Sequence, residues 1–462
     1  MKSKILLSFL LIGLIFSCAT RKAQYSQDEI QIQELPNKKI VNRFYLVGDA
    51  GKSIDNHEAD GLLAFKTYIK DKETKNDYVI YLGDNVYPSG LPNEGKKGRK
   101  QAETNLNLQI NAVNNFKGKT IFIPGNHDWY SKGIKGLKNQ EKYVEDKLGK
   151  NSFLPENGCP LERVEINKDV ELIIIDTQWY LEDWNKHPTI NDECEIKTRE
   201  RFFNEVESAL KKAQNKTIVL AMHHPMFTNG THGGFYGASK HLYPFQGKIP
   251  MPIVASLITQ IRTQGGVSIQ DRYNERYNEL MSRLETLLVG LDNLIVVSGH
   301  EHSLQYIEDE YIKQIVSGSA AKHSDASLNN NGLFSYGGEG FAEFTIYDDG
   351  SSWVQYFGYQ NDEAKLLYQK EVFAPKERFD TSYLPNKFPT EKLTSIYTKE
   401  ETDKTDFFTT IWGDHYRDLY SKNINVKVAT LDTLYGGLEI VRAGGGHQTR
   451  SLRLKDKNDK EY

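Results

Sequence analysis

The sequence has few cysteines, no excess of basic residues and a single long apolar run. Three cysteines among 462 residues exclude a disulfide-dense scaffold and a cysteine-rich zinc module. The 58 Lys and Arg residues are balanced by 62 Asp and Glu residues, so the charge does not indicate DNA or RNA as the main partner. Hydrophobic residues form 38% of the chain, which permits packed cores and excludes global disorder.

The apolar run lies at the extreme N-terminus, where it follows two lysines and extends from Ile5 to Phe16. It is too short for a bilayer, which needs about 20 residues, and it is typical of a secretory signal. The residues before Cys18 resemble a bacterial lipoprotein box, with an aliphatic residue three places before the cysteine and a small residue next to it. We expect a signal peptide over 1–17 and a lipid anchor at Cys18, which would make this an exported, membrane-anchored protein of the bacterial cell envelope. An ordinary signal peptide with an incidental cysteine is the alternative.

The two other cysteines, Cys159 and Cys194, form an even pair. Such a pair in an exported protein is a candidate disulfide. Two free thiols that lie too far apart to bridge are the alternative, and the sequence does not decide between them.

Beyond the N-terminal region, short apolar runs alternate with helical patterns. Residues 18–38 are mostly polar, without hydrophobic periodicity, and are predicted to be a tether. The alternation that follows predicts a layered α/β domain over 39–360, with β-sheets flanked by helices. The predicted strands are Ile40–Val47, Tyr78–Leu82, Thr120–Ile123, Glu171–Ile175, Thr217–Ala221, Leu294–Ser298, Ile312–Val316, Phe341–Tyr347 and Trp353–Phe357. The predicted helices lie near 57–70, 99–115, 137–148, 198–213 and 271–291.

Five of the predicted strands are followed by polar turns, most of which contain glycine. The turns read G-D-A-G (48–51), G-D-N-V-Y (83–87), G-N-H-D (125–128), H-H-P (223–225) and G-H-E-H (299–302). Ligands of open α/β sheets gather outside the carboxyl ends of strands, so these turns should converge on one edge. Carboxylate, amide, phenol and imidazole groups suit a pair of metal ions of which one is iron. The turns together therefore predict a metal centre.

In this order, the five turns resemble the calcineurin-like metallophosphoesterase superfamily, and most of all its small purple acid phosphatases. The resemblance covers about 39–360. Most members of the superfamily have a histidine two residues after the first aspartate, where this chain has Gly51. The purple subgroup instead has a tyrosine three residues after the second aspartate, where this chain has Tyr87. The run 299–306 also resembles that subgroup.

The resemblance implies seven metal ligands. The first metal ion, iron in the purple subgroup, would be bound by Asp49, Tyr87 and His302. The second, a divalent ion of iron, zinc or manganese, would be bound by Asn126, His223 and His300, and Asp84 would bridge the two.

Two further histidines would act in catalysis. His127 would contact the substrate phosphate and the leaving oxygen, and Asp128 is expected to orient it. His232, nine residues after His223, matches a histidine of the subgroup that lies just outside the metal ligands; an ordinary surface-loop histidine is the alternative.

The resemblance implies a phosphoric ester hydrolase, and most specifically a phosphomonoesterase that acts on a phosphate-ester substrate with a metal-activated water. A phosphodiesterase or nucleotidase with the same dinuclear centre is the first alternative, because the ligand set does not separate monoesters from diesters. The second alternative is a non-catalytic structural or partner-docking protein of the envelope. The complete ligand set argues against it.

Residues 361–462 are expected to form a connector and a small β-containing segment. Val426–Leu434, Leu438–Val441 and Thr449–Leu454 read as strands. The stretch from Trp412 resembles the connector that follows the phosphatase domain in some longer bacterial envelope proteins, whose later part resembles an outer-membrane β-barrel. We therefore expect a longer polypeptide that continues into such a barrel, or pairing of this segment with another chain. A complete protein with a loosely packed tail is the alternative.

Overall fold

The computed structural model describes residues 19–26, 34–70, 72, 75–243, 249–309, 312–329 and 331–375, with the backbones of three strands nearer the C-terminus. Residues 1–376 belong to one compact unit and residues 377–462 to another. The predicted signal peptide, the predicted lipid attachment at Cys18 and most of the predicted connector lie outside the described residues.

The described strands of the first unit form two sheets. They are β1 Gln24–Tyr25, β2 Ile40–Val47, β3 Tyr78–Tyr81, β4 Lys119–Phe122, β5 Leu161–Asn167, β6 Val170–Ile175, β7 Thr217–Met222, β8 Leu294–Ser298, β9 Leu304–Glu308, β10 Lys313–Ser317, β11 Gly332–Tyr336, β12 Gly340–Tyr347, β13 Ser352–Gln360 and β14 Glu363–Phe373. The eight-stranded sheet has the order β1-β11-β9-β10-β8-β7-β6-β5, and the six-stranded sheet has the order β14-β13-β12-β2-β3-β4.

The central strands are buried on both faces. In β2, Phe44 and Leu46 pack in the core between the sheets, whereas Tyr45 and Val47 pack in a second core with residues of the helices. Successive side chains of a strand point to opposite faces, so burial of both faces requires the continuous apolar runs seen in the sequence. The predicted layered α/β fold, with sheets flanked by helices, is confirmed.

Helices cover the outer faces of the sheets. The described helices are α1 Asp60–Ile69, α2 Arg99–Ala112, α3 Asn126–Trp129, α4 Ile134–Leu148, α5 Thr177–Leu181, α6 Arg199–Lys212, α7 Ala238–Leu242, α8 Pro252–Gln264 and α9 Glu275–Leu288. The start of α9 is fixed by Asn274, whose side chain accepts a hydrogen bond from the amide of Arg276. Within the described residues, none of these helices combines the length and the apolar character needed to cross a bilayer.

The sheet edges differ from the predicted boundaries. β14 pairs along the whole length of β13, from Gln360 opposite Glu363 to Ser352 opposite Phe373, so this hairpin continues past residue 360, where the sequence analysis placed a domain boundary. At the other edge, β1 pairs with β11, and part of the predicted tether 18–38 therefore belongs to the eight-stranded sheet. Edge strands have one solvated side and carry mixed polar sequences, which hides them from a search for apolar runs.

Cys159 and Cys194 form a disulfide, which decides the question that the sequence left open. The two cysteines are 35 residues apart. In the chain-entropy description, closing a loop of this length corresponds to about 3–4 kcal/mol of stability.

The second unit contains β15 Val426–Thr430, β16 Glu439–Arg442 and β17 Leu452–Lys455. These strands form an antiparallel sheet in the order β15-β16-β17. The predicted β-containing C-terminal segment is therefore confirmed, and its described strands overlap the three that were predicted.

Candidate metal centre

The five predicted turns converge because their strands run parallel in two facing sheets. β2, β3 and β4 are parallel in one sheet, and β7 and β8 are parallel in the other. Three residues that follow these strands have a left-handed backbone, with φ of +57° at Asp49, +54° at Asp84 and +65° at His300. Left-handed conformations are uncommon in residues other than glycine, and they cluster at functional sites.

Gly51 leaves no room for the histidine that most members of the superfamily have at this position. A Cβ atom there would lie 2.2 Å from the carbonyl carbon of Asn85, in the turn that leads to Tyr87. A side chain at position 51 would therefore push away the segment that carries the tyrosine. This close approach is consistent with the absence of a histidine at position 51 and with the prediction that Tyr87 takes its place.

The first cluster of donor atoms consists of Asp49, Tyr87 and His302. The Tyr87 hydroxyl lies 2.6 Å from Oδ1 of Asp49 and 3.2 Å from Nε2 of His302. The last two atoms are 3.4 Å apart. Asp49 and Tyr87 are buried, so the three donor groups converge on one small volume away from bulk water.

The second cluster lies beside the first. Oδ1 of Asn126 is 3.0 Å from Nε2 of His223 and 3.1 Å from Nδ1 of His300. Oδ1 of Asp84 is 3.4 Å from the same nitrogen of His223. Asp84 connects the clusters, since ligand atoms of Asp49, Asp84 and His223 all lie within 4.8 Å of one another. The structure thus brings together all seven residues predicted as metal ligands.

Hydrogen bonds to backbone carbonyls orient two of the imidazoles. Nδ1 of His223 is 2.7 Å from the carbonyl oxygen of Leu82, and Nε2 of His300 is 2.8 Å from that of Gln270. A carbonyl oxygen only accepts, so each of these nitrogens carries the proton and donates it. The other nitrogen of each ring then presents a lone pair to the cluster, as in metal sites where a backbone carbonyl fixes the histidine tautomer.

The donor set therefore fits a cation. Lone pairs of His223 and His300 face the side-chain oxygen of Asn126, whose amide nitrogen donates to Tyr130. The carboxylate of Asp84 adds another acceptor near His223. Converging acceptors without protons between them repel one another, and a metal ion removes that repulsion.

The pKa values of the buried groups also fit a bound cation. Burial raises the pKa of Asp84, but the neighbouring His223 and His127 outweigh it and bring the pKa to about 2. Burial lowers the pKa of His300 well below its usual value, and neighbouring histidines add to the effect. Burial and the carboxylates of Asp49 and Asp84 raise the pKa of Tyr87, so a phenolate at this position requires strong positive charge close by.

His127 lies at the mouth of the centre. Its Nδ1 donates to the carbonyl oxygen of Pro88 at 2.6 Å, and its Nε2 lies 3.9 Å from Oδ2 of Asp84. The ring packs against Tyr87, with centroids 4.4 Å apart, and its side chain remains 26% exposed. The proton on Nδ1 is thus held by the protein, and Nε2 is the atom available to a substrate.

The expectation that Asp128 orients His127 is wrong, because Pro88 holds the ring. Asp128 is fully buried and accepts hydrogen bonds from the amides of Gly125, Asn85 and Val86 at 2.8, 3.0 and 3.1 Å. Its carboxyl group therefore ties the turn that carries Asn126 to the turn that carries Asp84 and Tyr87. Burial, together with Asp84, raises the pKa of Asp128 to about 7.

His232 lies beside the centre rather than on a distant surface loop. Its ring is 4.1 Å from that of His300 between centroids, and its Nδ1 lies 2.8 Å from Oδ1 of Asp271. Asp271 also accepts two hydrogen bonds from Arg262, at 2.7 and 2.9 Å. Burial lowers the pKa of His232, but Asp271 and Glu301 outweigh it and the net direction is upward.

A cavity of about 910 Å³ opens onto these residues. Basic side chains from distant parts of the chain line it: Arg21, Lys240, Arg262 and Lys322. Nζ of Lys322 lies 4.0 Å from the ring centroid of Tyr87. Burial lowers the pKa of Lys322, and the nearby Asp49 and Asp84 oppose that change. Asp84 and Asp325 also line the cavity, so its Lys and Arg residues outnumber its carboxylates by four to two, which favours anions such as phosphate esters.

Sequence reasoning missed these cavity residues. Arg21 and Lys322 follow no strand-end motif, and neither has a spacing that relates it to the ligands. Arg262 lies in the region between His232 and Leu291 that follows the fourth turn, but the sequence shows no pattern that marks it. Only their positions in the folded chain bring them to the cavity.

Comparison with known proteins agrees with this geometry. The family model for calcineurin-like phosphoesterases matches residues 43–304, a segment that contains all five turns. Purple acid phosphatase 17 of Arabidopsis thaliana is 23% identical over 337 residues, which cover 68% of this chain and 81% of that protein.

Two solved structures are also similar. GAP50, the anchor in the inner membrane complex of Plasmodium, has a TM-score of 0.46 and 16% identity, over 73% of this chain and 91% of that chain. A purple acid phosphatase, PPD1, from yellow lupin (Lupinus luteus) seeds has a TM-score of 0.44 and 15% identity, over 72% of this chain and 54% of that chain. Since the family model spans more than half of the sequence, the chain belongs to the calcineurin-like phosphoesterases and is a metal-dependent phosphoester hydrolase.

Proposed function

We propose that this hydrolase is a phosphomonoesterase of the purple acid phosphatase type, with a dinuclear centre that contains iron and a second, divalent ion of iron, zinc or manganese. The observation that carries the proposal is the cluster of Asp49, Tyr87 and His302, in a backbone where position 51 has no space for a side chain. The likeness to purple acid phosphatase 17 supports it.

The proposed assignment gives each cluster one ion. Asp49, Tyr87 and His302 would hold iron, Asn126, His223 and His300 would hold the divalent ion, and Asp84 would contribute to both. When bound, two such ions polarise the phosphoryl oxygens and lower the pKa of a water nucleophile.

The remaining groups of the chain bind and protonate the substrate. Lys322 and Arg262 supply positive charge for the phosphoryl oxygens from the cavity wall. Nε2 of His127 faces the same cavity, with the ring fixed through Nδ1, so a proton on Nε2 is placed to pass to the leaving oxygen. His232, held by Asp271, is proposed to position the substrate beside His300.

The iron assignment predicts a colour. A phenolate bound to ferric iron absorbs visible light, so the oxidised protein should be pink to purple, and Tyr87→Phe should abolish the band while part of the activity remains. Tyr130→Phe is the matched control, because that phenol also lines the cavity but bonds to the amide of Asn126. An absorption spectrum with metal analysis checks both variants; a colourless, fully active protein loaded with zinc or manganese would disprove iron and leave the family assignment unchanged.

A phosphodiesterase or nucleotidase with the same centre remains the alternative, since the described ligands do not distinguish the ester class. Turnover of a panel of mono- and diesters by metal-loaded protein separates the two. We expect kcat/KM for aryl and alkyl phosphomonoesters to exceed that for matched diesters by about tenfold or more, which is the rate equivalent of about 1.4 kcal/mol. A preference for diesters would instead identify the protein as a phosphodiesterase or nucleotidase.

We further propose that the enzyme is a lipoprotein of the bacterial cell envelope, anchored through Cys18. The proposal is based on the apolar run and the residues before Cys18. Mass spectrometry of the N-terminal peptide should show a mature chain that begins at an acylated Cys18, and Cys18→Ser should lose the acyl mass. An unmodified Cys18 within an uncut chain would contradict it. Pairing with an outer-membrane β-barrel stays a prediction.

A further inference from the structure

Helix α8, Pro252–Gln264, presents apolar side chains to solvent. Ile253, Leu257 and Ile261 follow one another at intervals of four residues, which places them on one face. They are 84%, 55% and 53% exposed. The other face of the helix carries Ala255 and Thr259, which are buried and line the cavity. The helix therefore separates the cavity from an apolar outer surface.

The outer surface extends beyond α8. The amide of Met251 donates to the carbonyl oxygen of Leu242, the last residue of α7, so the start of α8 lies against the end of that helix. We define the α8 surface by its exposed apolar residues, which are Leu242, Ile249, Met251, Ile253, Leu257 and Ile261. Contiguous exposed apolar side chains of this kind mark a surface that binds a protein or a membrane.

The stretch of sequence that forms the α8 surface lacks acidic residues. Residues 235–270 contain no Asp or Glu, although the chain has 62 acidic residues among 462. The same stretch contains Lys240, Lys248 and Arg262. Arg262 lies on the cavity side, where it pairs with Asp271, so Lys240 is the described basic residue next to the apolar side chains. Apolar side chains with a basic neighbour, in a stretch of sequence without acidic residues, suit an anionic lipid surface, where acyl chains take up the apolar groups and headgroups attract the basic one.

The first described residues of the chain lie next to this surface. Ala19 forms a β-bridge with Gly237, the residue before α7, and Thr20 exchanges hydrogen bonds with Ala326 at 2.8 and 3.0 Å. Cys18 is the next residue towards the N-terminus. A lipid attached there would leave the protein beside α7 and α8.

We propose that the α8 surface lies on the lipid bilayer to which the chain is anchored, with Ile253, Leu257 and Ile261 among the acyl chains and Lys240 at the headgroups. The position of the anchor rests on the proposed acylation of Cys18; the apolar and basic character of the surface does not. In this orientation the cavity opens beside the membrane, because Lys240 and the inner face of α8, with Ala255 and Thr259, line it.

Fluorescence quenching by brominated lipids tests this orientation. The full-length chain, with its anchor, is placed on vesicles of phosphatidylethanolamine and phosphatidylglycerol whose acyl chains carry bromine. Leu257→Trp is compared with Val289→Trp, because Val289 is similarly exposed, at 52%. Val289 follows α9 and precedes β8, so it lies towards the end of β8 opposite the metal centre.

The measured quantity is the tryptophan emission that each substitution adds to that of the unsubstituted protein. We expect the brominated lipids to quench roughly half or more of this added emission in Leu257→Trp and to leave it unchanged in Val289→Trp. Equal quenching at both positions, or none at position 257, would overturn the proposal. Emission from position 257 that is already blue-shifted without vesicles would also overturn it, since it would assign the surface to a second copy or another part of the chain. Turnover of p-nitrophenyl phosphate by the same samples reports separately on the proposed function.

Discussion

Asp84→Ala should remove most of the bound metal and lower turnover by about 10³-fold or more, since a metal centre supplies several kcal/mol of transition-state stabilisation. Oδ1 of Asp84 lies near His223 of the second cluster, and ligand atoms of Asp84 and Asp49 lie within 4.8 Å of each other. The substitution thus removes an anionic donor from both clusters. The same oxygen accepts a hydrogen bond from the amide of His127 at 2.8 Å, so the turn that carries His127 also loses a contact.

Asp176→Asn is the matched control for this experiment. Asp176 is as deeply buried as Asp84, but its carboxylate accepts hydrogen bonds from Trp179 and Trp129 and belongs to neither cluster. Burial raises the pKa of Asp176 to about 8, so the neutral amide resembles its state at neutral pH. Metal analysis by mass spectrometry should find normal metal content in the control. An Asp84→Ala protein with two metal ions and normal turnover would show that the dinuclear assignment is wrong.

His127→Ala should leave fold and metal content unchanged while lowering turnover by about 10²–10⁴-fold, the usual contribution of a positioned acid or base. The imidazole is held by Pro88 and packs against Tyr87, and Nε2 faces the cavity. If it protonates the leaving oxygen, the loss should be largest for alkyl phosphates and smaller for nitrophenyl phosphate. An alkoxide needs the proton more than a nitrophenolate does.

His323→Ala provides the comparison for His127→Ala. His323 lines the same cavity but pairs with Glu339, 3.1 Å away, and its side chain is 40% exposed. We expect this variant to lose less than tenfold in kcat on either class of ester, well below the scale of a catalytic proton transfer. A similarly small loss for His127→Ala on an alkyl ester would remove its assigned role. Circular dichroism and metal analysis of both variants show whether fold or metal loss contributes.

The order of strands and ligand-bearing turns could be predicted from the sequence because it depends on local patterns. A strand that is buried on both faces must be apolar along its length, and a glycine next to a polar ligand marks the sharp turn that ends it. Gly51 and Tyr87 together also indicated the resemblance to the small purple acid phosphatases. The fold class and the convergence of the seven predicted ligands followed from these local signals.

The sequence by itself therefore determined the types of ligand, their order and the layered fold. Only the tertiary structure decided the surroundings: Asp128 as a link between two turns, the Gln270 carbonyl behind His300, and Arg21 and Lys322 in one cavity. It also decided the pairing of Cys159 with Cys194 and the inclusion of β1 and β14 in the sheets. These contacts join residues that are distant in the chain or lie on half-solvated edges. Their positions depend on how whole elements pack, and no periodicity or motif within one segment encodes that packing.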